Sequence, residues 1–371
     1  MTKLLRLTAI CMLLAVLSHN FSLQDDDHTG YLRKERLFWF LLGIVMVCFA
    51  GLRIHYNDTD TYVHAYNLLA ASPDPFSGFQ WTLGMNPGFT LCNILLAKLG
   101  FSAQSFLFAY SVLTVGISLW FIRKYTNNVW LSVFLYIVVG NYIFTLAAIK
   151  QCAAIAFCLV GIDRALRKKW ISFTFWVLLG TLFHPYALLY FLTPLLMFRP
   201  WSGKTYLTLI LFIAAGLLLQ PLIGTVINIT TLLGEEYDAD SFMGEGVNPF
   251  RFAVMAVPIL LSFLSRAVIR EENNRTNNLI LNLSMLNGTI MFVALFGTAN
   301  YFARLANYFV IFQSLAIPWL LTHFEPRSRK ILTRTAVVCY ALYFYYENGV
   351  TLPFDHYYYA TTLGKYLKTL F

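Results

Sequence analysis

The sequence predicts an all-α polytopic membrane protein of about 12 transmembrane helices plus one short re-entrant or interfacial helix. Three observations carry this expectation. Hydrophobic residues make up 58% of the 371 positions and charged residues only 12%, against about 25% charged in an ordinary soluble domain. Apolar stretches of spanning length recur from one end of the chain to the other, and lipid admits backbone only where its hydrogen bonds are closed internally. Basic residues collect in alternate connections, the charge asymmetry of a multi-pass protein.

The spans are expected in order. The first, 4–20, follows Lys3 and Arg6. It resembles a signal peptide, but no small-x-small cleavage site follows, so it is read as a retained helix. The run 37–53 lies between Arg36 and Arg53. Pro87 to Gly100 is apolar but rises only about 21 Å as a helix, short of the roughly 30 Å hydrocarbon core; this is the re-entrant or interfacial piece. Next come 103–122, 129–146 and 148–165, then 170–184 and 186–198, which meet at Pro185. The 186–198 helix is short, and is expected to tilt or stop midway. The runs 205–227, 250–269, 278–297, 302–322 and 331–347 complete the set. No polar stretch is long enough to be a soluble domain. Residues 1–371 therefore form a single integral membrane domain with outer loops at 54–86 and 228–249.

Orientation follows from charge. The chain carries +9 net, which on a soluble protein would suggest nucleic acid. Here the positive-inside rule accounts for it. Eighteen of the 27 Lys and Arg residues fall at one side, in the clusters Arg33–Arg36, Arg123–Lys124, Arg164–Lys169, Arg199–Lys204, Arg266–Arg275 and Arg327–Arg334. No nucleic-acid partner is implied. The six cysteines sit in apolar segments without ligand or redox spacing and read as small hydrophobes.

Against that bias, a set of functional-looking residues lands at the outer mouths of the spans. The first outer loop, Arg53-Ile54-His55-Tyr56-Asn57-Asp58-Thr59-Asp60-Thr61-Tyr62, is the densest. Its plain reading is a solvated loop with a snorkelling Arg. Its functional reading is a carboxylate base, or a pair of carboxylates holding a divalent cation against a diphosphate. Lys150-Gln151 in an apolar hairpin is either an interface anchor or an ammonium and amide aimed into an outward cavity. His184 is presented at a helix end by Pro185, where imidazole suits proton transfer near neutral pH. Arg251 and Arg304 each open a span near its outer N-terminus. Positive charge there opposes the helix dipole, but a guanidinium beside a helix N-terminus suits phosphate.

The order of these features resembles the EpsG family of bacterial exopolysaccharide proteins, which are Wzy-like. The resemblance runs through Arg53, Asp58-Thr59-Asp60 with Tyr62, Asn86-Pro87-Gly88-Phe89, Lys150-Gln151-Cys152-Ala153, Phe183-His184-Pro185-Tyr186-Ala187-Leu188 and Arg304-Leu305-Ala306-Asn307-Tyr308-Phe309. It covers roughly residues 37–350. Asp58 stands where the family has Gly, and Lys150 where it has Arg. The resemblance implies a glycosyltransferase-C-like bundle in the bacterial inner membrane. It further implies a polysaccharide polymerase joining undecaprenyl-diphosphate-linked glycans for capsule, O-antigen or exopolysaccharide. A flippase and a chain-length regulator are the candidate protein partners, beside the bilayer itself. In that enzyme Arg53, Lys150, Arg251 and Arg304 would hold the diphosphate. Asp60 or His184 would be the base, the choice left open, and Asp58, Asn86, Gln151 and Tyr308 would touch the glycan. No cofactor or resident metal is implied. Two other classes remain: a transporter of lipid-linked sugars, which needs charges through the depth of the bundle, and a membrane acyltransferase, which centres on a His in the first spans, where only His19 lies.

Overall fold

Apolar runs in this chain become helices because only helices close their own backbone hydrogen bonds, and each helix stops where a specific residue stops it. The computed structural model describes residues 1–24, 31–219, 246–296 and 299–368. The helices used below are α1 (Thr2–Asn20), α2 (Leu37–Gly51), α3 (Thr59–Ala71), α4 (Pro87–Lys98), α5 (Ala103–Tyr125), α6 (Val129–Val138), α7 (Asn141–Ala147), α8 (Ile149–Leu166), α9 (Trp170–Thr181), α10 (Gly203–Leu219), α11 (Pro249–Leu264), α12 (Arg266–Glu272), α13 (Arg275–Val293), α14 (Ala299–Asn307), α15 (Gln313–Leu321) and α16 (Pro326–Tyr345). Two short antiparallel ladders accompany them: β1 (Leu23–Gln24) with β2 (Tyr31–Arg33), and β3 (Arg53–His55) with β4 (Tyr359–Ala360).

Helix α5 shows how local sequence sets these limits. Ser102 caps its N-terminus by accepting from the Ser105 N–H, and Arg123 and Lys124 occupy its last turn, where cations meet the negative dipole end. Its 23 residues rise about 34 Å, enough to cross a bilayer. α5 packs against α2 and α8, α8 against α9, α1 against α2 and α6, and α11 against α13.

The expectation of about twelve spans is where the structure differs. Among the described residues only α1 and α5 are long and apolar enough to cross alone, or four spans if the bent pairs α6–α7 and α11–α12 each count as one. The causes are visible. Gly140 adopts the left-handed φ of +86° and turns α6 into α7 at 47°; glycine takes that conformation without a Cβ penalty. The 186–198 run is a 3-10 segment, Pro185–Leu196, with Pro194 inside it. A proline removes an N–H and cannot continue an α-ladder. The 302–322 run divides into α14, a 3-10 turn at Val310–Phe312 and α15. The short helix expected at 87–100 is α4, 12 residues long. Most of the outer loop expected at 228–249 lies outside the described residues.

Charge separates along the bundle. At one end Lys34 donates to the carbonyls of Arg123 and Thr126, and Arg123 donates back to the Lys34 carbonyl at 3.0 Å. Lys124 and Arg167 both pair with buried Asp163, and His323 meets Glu272 at 2.9 Å. At the other end the Met1 ammonium lies 2.9 Å from Asp355, and Lys3 Nζ donates to the Tyr358 carbonyl at 2.7 Å. There the β3–β4 ladder brings Arg53 and His55 against the last described segment. The basic clusters assigned to the inside thus share contacts at one end, and the loop 53–62 sits at the other.

Candidate functional site

The site is built around α14. Its sequence, Ala299-Asn300-Tyr301-Phe302-Ala303-Arg304-Leu305-Ala306-Asn307, sorts by helical spacing. Ala303, Arg304 and Asn307 line a cavity of about 390 Å³ with mixed polar and apolar walls, while Tyr301, Phe302 and Leu305 face an apolar groove on another side. The cavity also takes Arg251 from α11, Tyr56 and Asn57 from the first outer loop, and Glu347 beyond α16.

A helix end leaves carbonyls without intrahelical partners. At the end of α14, three side chains from distant parts of the chain donate to such carbonyls, the one at Ala306 also accepting the Phe309 N–H at 2.9 Å. Gln151 Nε2 donates to the Arg304 carbonyl at 2.7 Å, Asn287 Nδ2 to the Ala306 carbonyl at 2.7 Å, and the Tyr190 hydroxyl to the Tyr308 carbonyl at 2.5 Å. Gln313 in turn donates to Asn287 Oδ1 at 3.0 Å. These bonds, buried at Asn287, Tyr190 and Gln313 and part-buried at Gln151, fix the backbone that carries Arg304 and Tyr308.

His184 lies beside this end. Its Nδ1 is 2.7 Å from the Tyr308 hydroxyl, and its ring packs edge-on against Tyr186. The Lys150 and Arg304 charges both act on the imidazole. Lys150 stands on the first turn of α8, just past the break at Ala148, with Nζ 5.9 Å from the Phe89 ring centre. Tyr62, in the outer helix α3, is hydrogen-bonded to the Lys150 backbone. Burial, then the Asp58 carboxylate, holds its hydroxyl above the usual phenol range, while Arg304 pulls it down. Tyr62, Lys150, His184 and Arg304 therefore form one electrostatic cluster.

The Asn86-Pro87-Gly88 segment is docked onto the same break. The Gly88 N–H donates to the Leu182 carbonyl at 2.8 Å. A Cβ on Gly88 would come within 2.8 Å of Leu182 Cβ and 3.0 Å of the Phe183 ring, so the approach requires glycine. Asn86 itself has a left-handed φ of +49°. Its Nδ2 bonds the Gly84 carbonyl at 3.1 Å, and its buried Oδ1 has no hydrogen-bond partner among the described residues.

Other expected site residues are placed differently. Arg53, expected on a diphosphate, is 1% exposed. It spends its guanidinium on the Ala50 carbonyl at 2.5 Å, Thr59 Oγ1 at 3.2 Å and Ser111 Oγ at 3.3 Å. It fastens the outer loop to α2 and α5 and does not line the cavity. Arg251 lines the cavity but forms an ion pair with Glu347. Asp60 is 63% exposed and is engaged by His55 Nδ1, and Asp58 is exposed at the start of α3. Neither carboxylate lines the cavity. Tyr308, expected to touch glycan, is fully buried behind His184. Asn287, Tyr190, Gln313 and Glu347 were not singled out from sequence. The first three sit inside apolar spans, where a polar side chain is itself the signal, and Glu347 closes the run read as the last span.

Fold and site together define a helical membrane bundle with a cavity lined by Arg251 and Arg304, and with His184 beside the same helix end, at the end opposite its basic clusters. The family model of EpsG matches residues 36–358, and the chain belongs to the EpsG family. This is a family of membrane proteins, and membership points to a role in exopolysaccharide biosynthesis. No curated protein and no solved structure matches the chain.

Proposed function

We propose that this protein is a polysaccharide polymerase of the bacterial inner membrane, joining undecaprenyl-diphosphate-linked oligosaccharide units at the periplasmic face. The observation that carries the proposal is the Tyr308–His184 contact beside the end of α14, the helix that carries Arg304, at the end away from the basic clusters. In this reaction a hydroxyl of the acceptor glycan attacks the anomeric carbon of the donor. The bond from that carbon to the diphosphate oxygen breaks, and the lipid diphosphate leaves with the electron pair. Arg304 and Lys150 stabilise the charge that grows on it. The acceptor proton passes to a base.

The geometry supports His184 over Asp60 as that base. Asp60 is mostly exposed and engaged by His55, whereas His184 is held by Tyr308 at the break beside the end of α14. For Nε2 to accept a proton, Nδ1 must carry the hydrogen and donate it to the Tyr308 oxygen, an arrangement that the 2.7 Å contact permits. Arg251 and Asn86 would shape the acceptor side, and Gln151, expected on the glycan, would instead hold the backbone that carries Arg304. Arg53 would hold the loop in place. The broken helices would cross the bilayer as bent pairs, with backbone left open at the breaks covered by protein, as membrane depth requires.

Deletion of the gene tests this reading. Single repeat units should accumulate on the lipid carrier, facing the periplasm, in place of long chains. Accumulation of unflipped units on the cytoplasmic face would instead establish a transporter of lipid-linked sugars.

A further inference from the structure

The basic end of the bundle carries a concave feature apart from the site at α14. A pocket of about 790 Å³ lies between the opening turns of α16 and Trp130, on the first turn of α6. Arg329, Lys330, Thr333 and Arg334 form one part of its α16 wall, and Val337 and Val338 form the next turn. Positions three and four apart share a helix face, so these side chains make one continuous surface. From Lys330 to Val337 the helix rises about 10 Å. Over that distance cations give way to apolar side chains, as a bilayer passes from headgroup to hydrocarbon. Trp130 is half-buried there, and tryptophan favours that boundary.

Other cations of this end are engaged by the fold: Lys34 and Arg123 by carbonyls, Lys124 and Arg167 by Asp163. Lys330 and Arg334 have no hydrogen-bond or ion-pair partner among the described residues. Arg329 is anchored through Nη2 to the Thr322 carbonyl at 2.8 Å, while its buried Nε has no partner among the described residues. No carboxylate lines the pocket, and α16 has no acidic residue in its first turn. Cations at a helix N-terminus oppose its dipole; an anion between them would satisfy both. We infer that this pocket binds an anionic glycerophospholipid of the adjoining leaflet. Arg329, Lys330 and Arg334 meet its phosphate, and Val337 and Val338 meet the start of its acyl chains. A free phosphate ion would leave the apolar turn uncovered, and a zwitterionic lipid would bring no net charge to the cations. The inference is independent of the reaction proposed at the opposite end.

The test places the full chain in phosphatidylcholine nanodiscs doped with brominated phosphatidylglycerol or, separately, with brominated phosphatidylcholine. Bromine quenches indole fluorescence on contact, and the Trp130 signal is the difference between wild-type protein and Trp130→Phe. Thermal unfolding confirms that each variant is folded. Trp130 should be quenched at a lower fraction of the anionic lipid than of the zwitterionic one. Lys330→Gln and Arg334→Gln should each reduce that preference on the order of fivefold. Arg327→Gln, which removes an exposed cation of the same helix outside the pocket, should leave it unchanged. Equal quenching by the two lipids would overturn the assignment, because charge would not be selecting the occupant. An equal loss in Arg327→Gln would also overturn it, by showing general attraction to a basic surface. Inorganic phosphate should not relieve the quenching in wild-type protein; relief would establish a site for a free anion and overturn the lipid assignment.

Discussion

The Tyr308 hydroxyl lies 2.7 Å from His184 Nδ1, joining the end of α14 to the break between α9 and the 3-10 segment. Tyr308 is buried, so it acts on substrate through His184. Tyr308→Phe leaves Nδ1 without this partner, a loss of about 1–3 kcal/mol for a buried group, and frees the ring to reorient. The turnover rate should fall while substrate binding holds. His184→Ala should lower the rate by about 10²–10⁴-fold and remove the acidic limb of the pH–rate profile. Asp60→Asn should keep that limb. Retention of the limb in His184→Ala and its loss in Asp60→Asn would pass the base role to Asp60.

The clamp on α14 gives a second prediction. Gln151→Leu removes the donor to the Arg304 carbonyl, and Asn287→Leu removes one of the two donors to the Ala306 carbonyl, which keeps the Phe309 N–H, together with the acceptor of Gln313; each should cost on the order of 1 kcal/mol. Neither residue lines the cavity. Both variants should lower thermal stability and polymerisation together, and the double variant should lose less than the sum, because both act on one stretch of backbone. Full additivity, measured as a double-mutant cycle in unfolding, would show that the two bonds act separately.

Gly88→Ala tests the docking of the Asn86 segment. The added methyl meets Leu182 and Phe183 at close range, and overpacking of this kind costs about 1–3 kcal/mol. Reduced stability with His184-dependent activity lowered in step is expected. Unchanged melting and activity would show that the 86–88 segment is not held against the break.

Topology is checked by cysteine substitution at Asn57 and Thr361, beside the loop that carries Arg53 and the segment that pairs with it. Both should label with membrane-impermeant thiol reagents from the periplasm, in a background without the exposed Cys339. Labelling only after the inner membrane is lysed would reverse the orientation.

Much of the site was legible one piece at a time. His184 next to Pro185, Arg304 early in its span and Asn86-Pro87-Gly88 all announced themselves as polar or strained groups in apolar surroundings, and the structure brings them to one end. What sequence could not supply were partners far along the chain. The run 302–322 reads as one helix until Gln151, Asn287 and Tyr190 are seen capturing the carbonyls of Arg304, Ala306 and Tyr308. Arg251 reads as an available cation until Glu347 is found beside it. Arg53 reads as an outward phosphate ligand because an Arg at the end of a span looks the same whether it faces water or, as here, Ala50, Thr59 and Ser111. The breaks at Gly140 and Pro194 were visible as residues. Their consequence depended on a backbone angle and on an unusually long 3-10 run, neither of which a hydropathy pattern encodes.

The most direct measurement of the central claim is chain elongation by the purified protein supplied only with lipid-diphosphate-linked repeat units, followed by product length and by released polyprenyl diphosphate. Wild-type protein should lengthen the glycan and release one diphosphate lipid for each unit joined. Arg304→Ala should slow both by about 10²–10³-fold, and Arg304→Lys should recover only part of the loss, since an ammonium restores the charge without the bidentate fork. Protein that moves the lipid-linked units across a bilayer without lengthening them, or elongates at the normal rate without Arg304, would contradict the account.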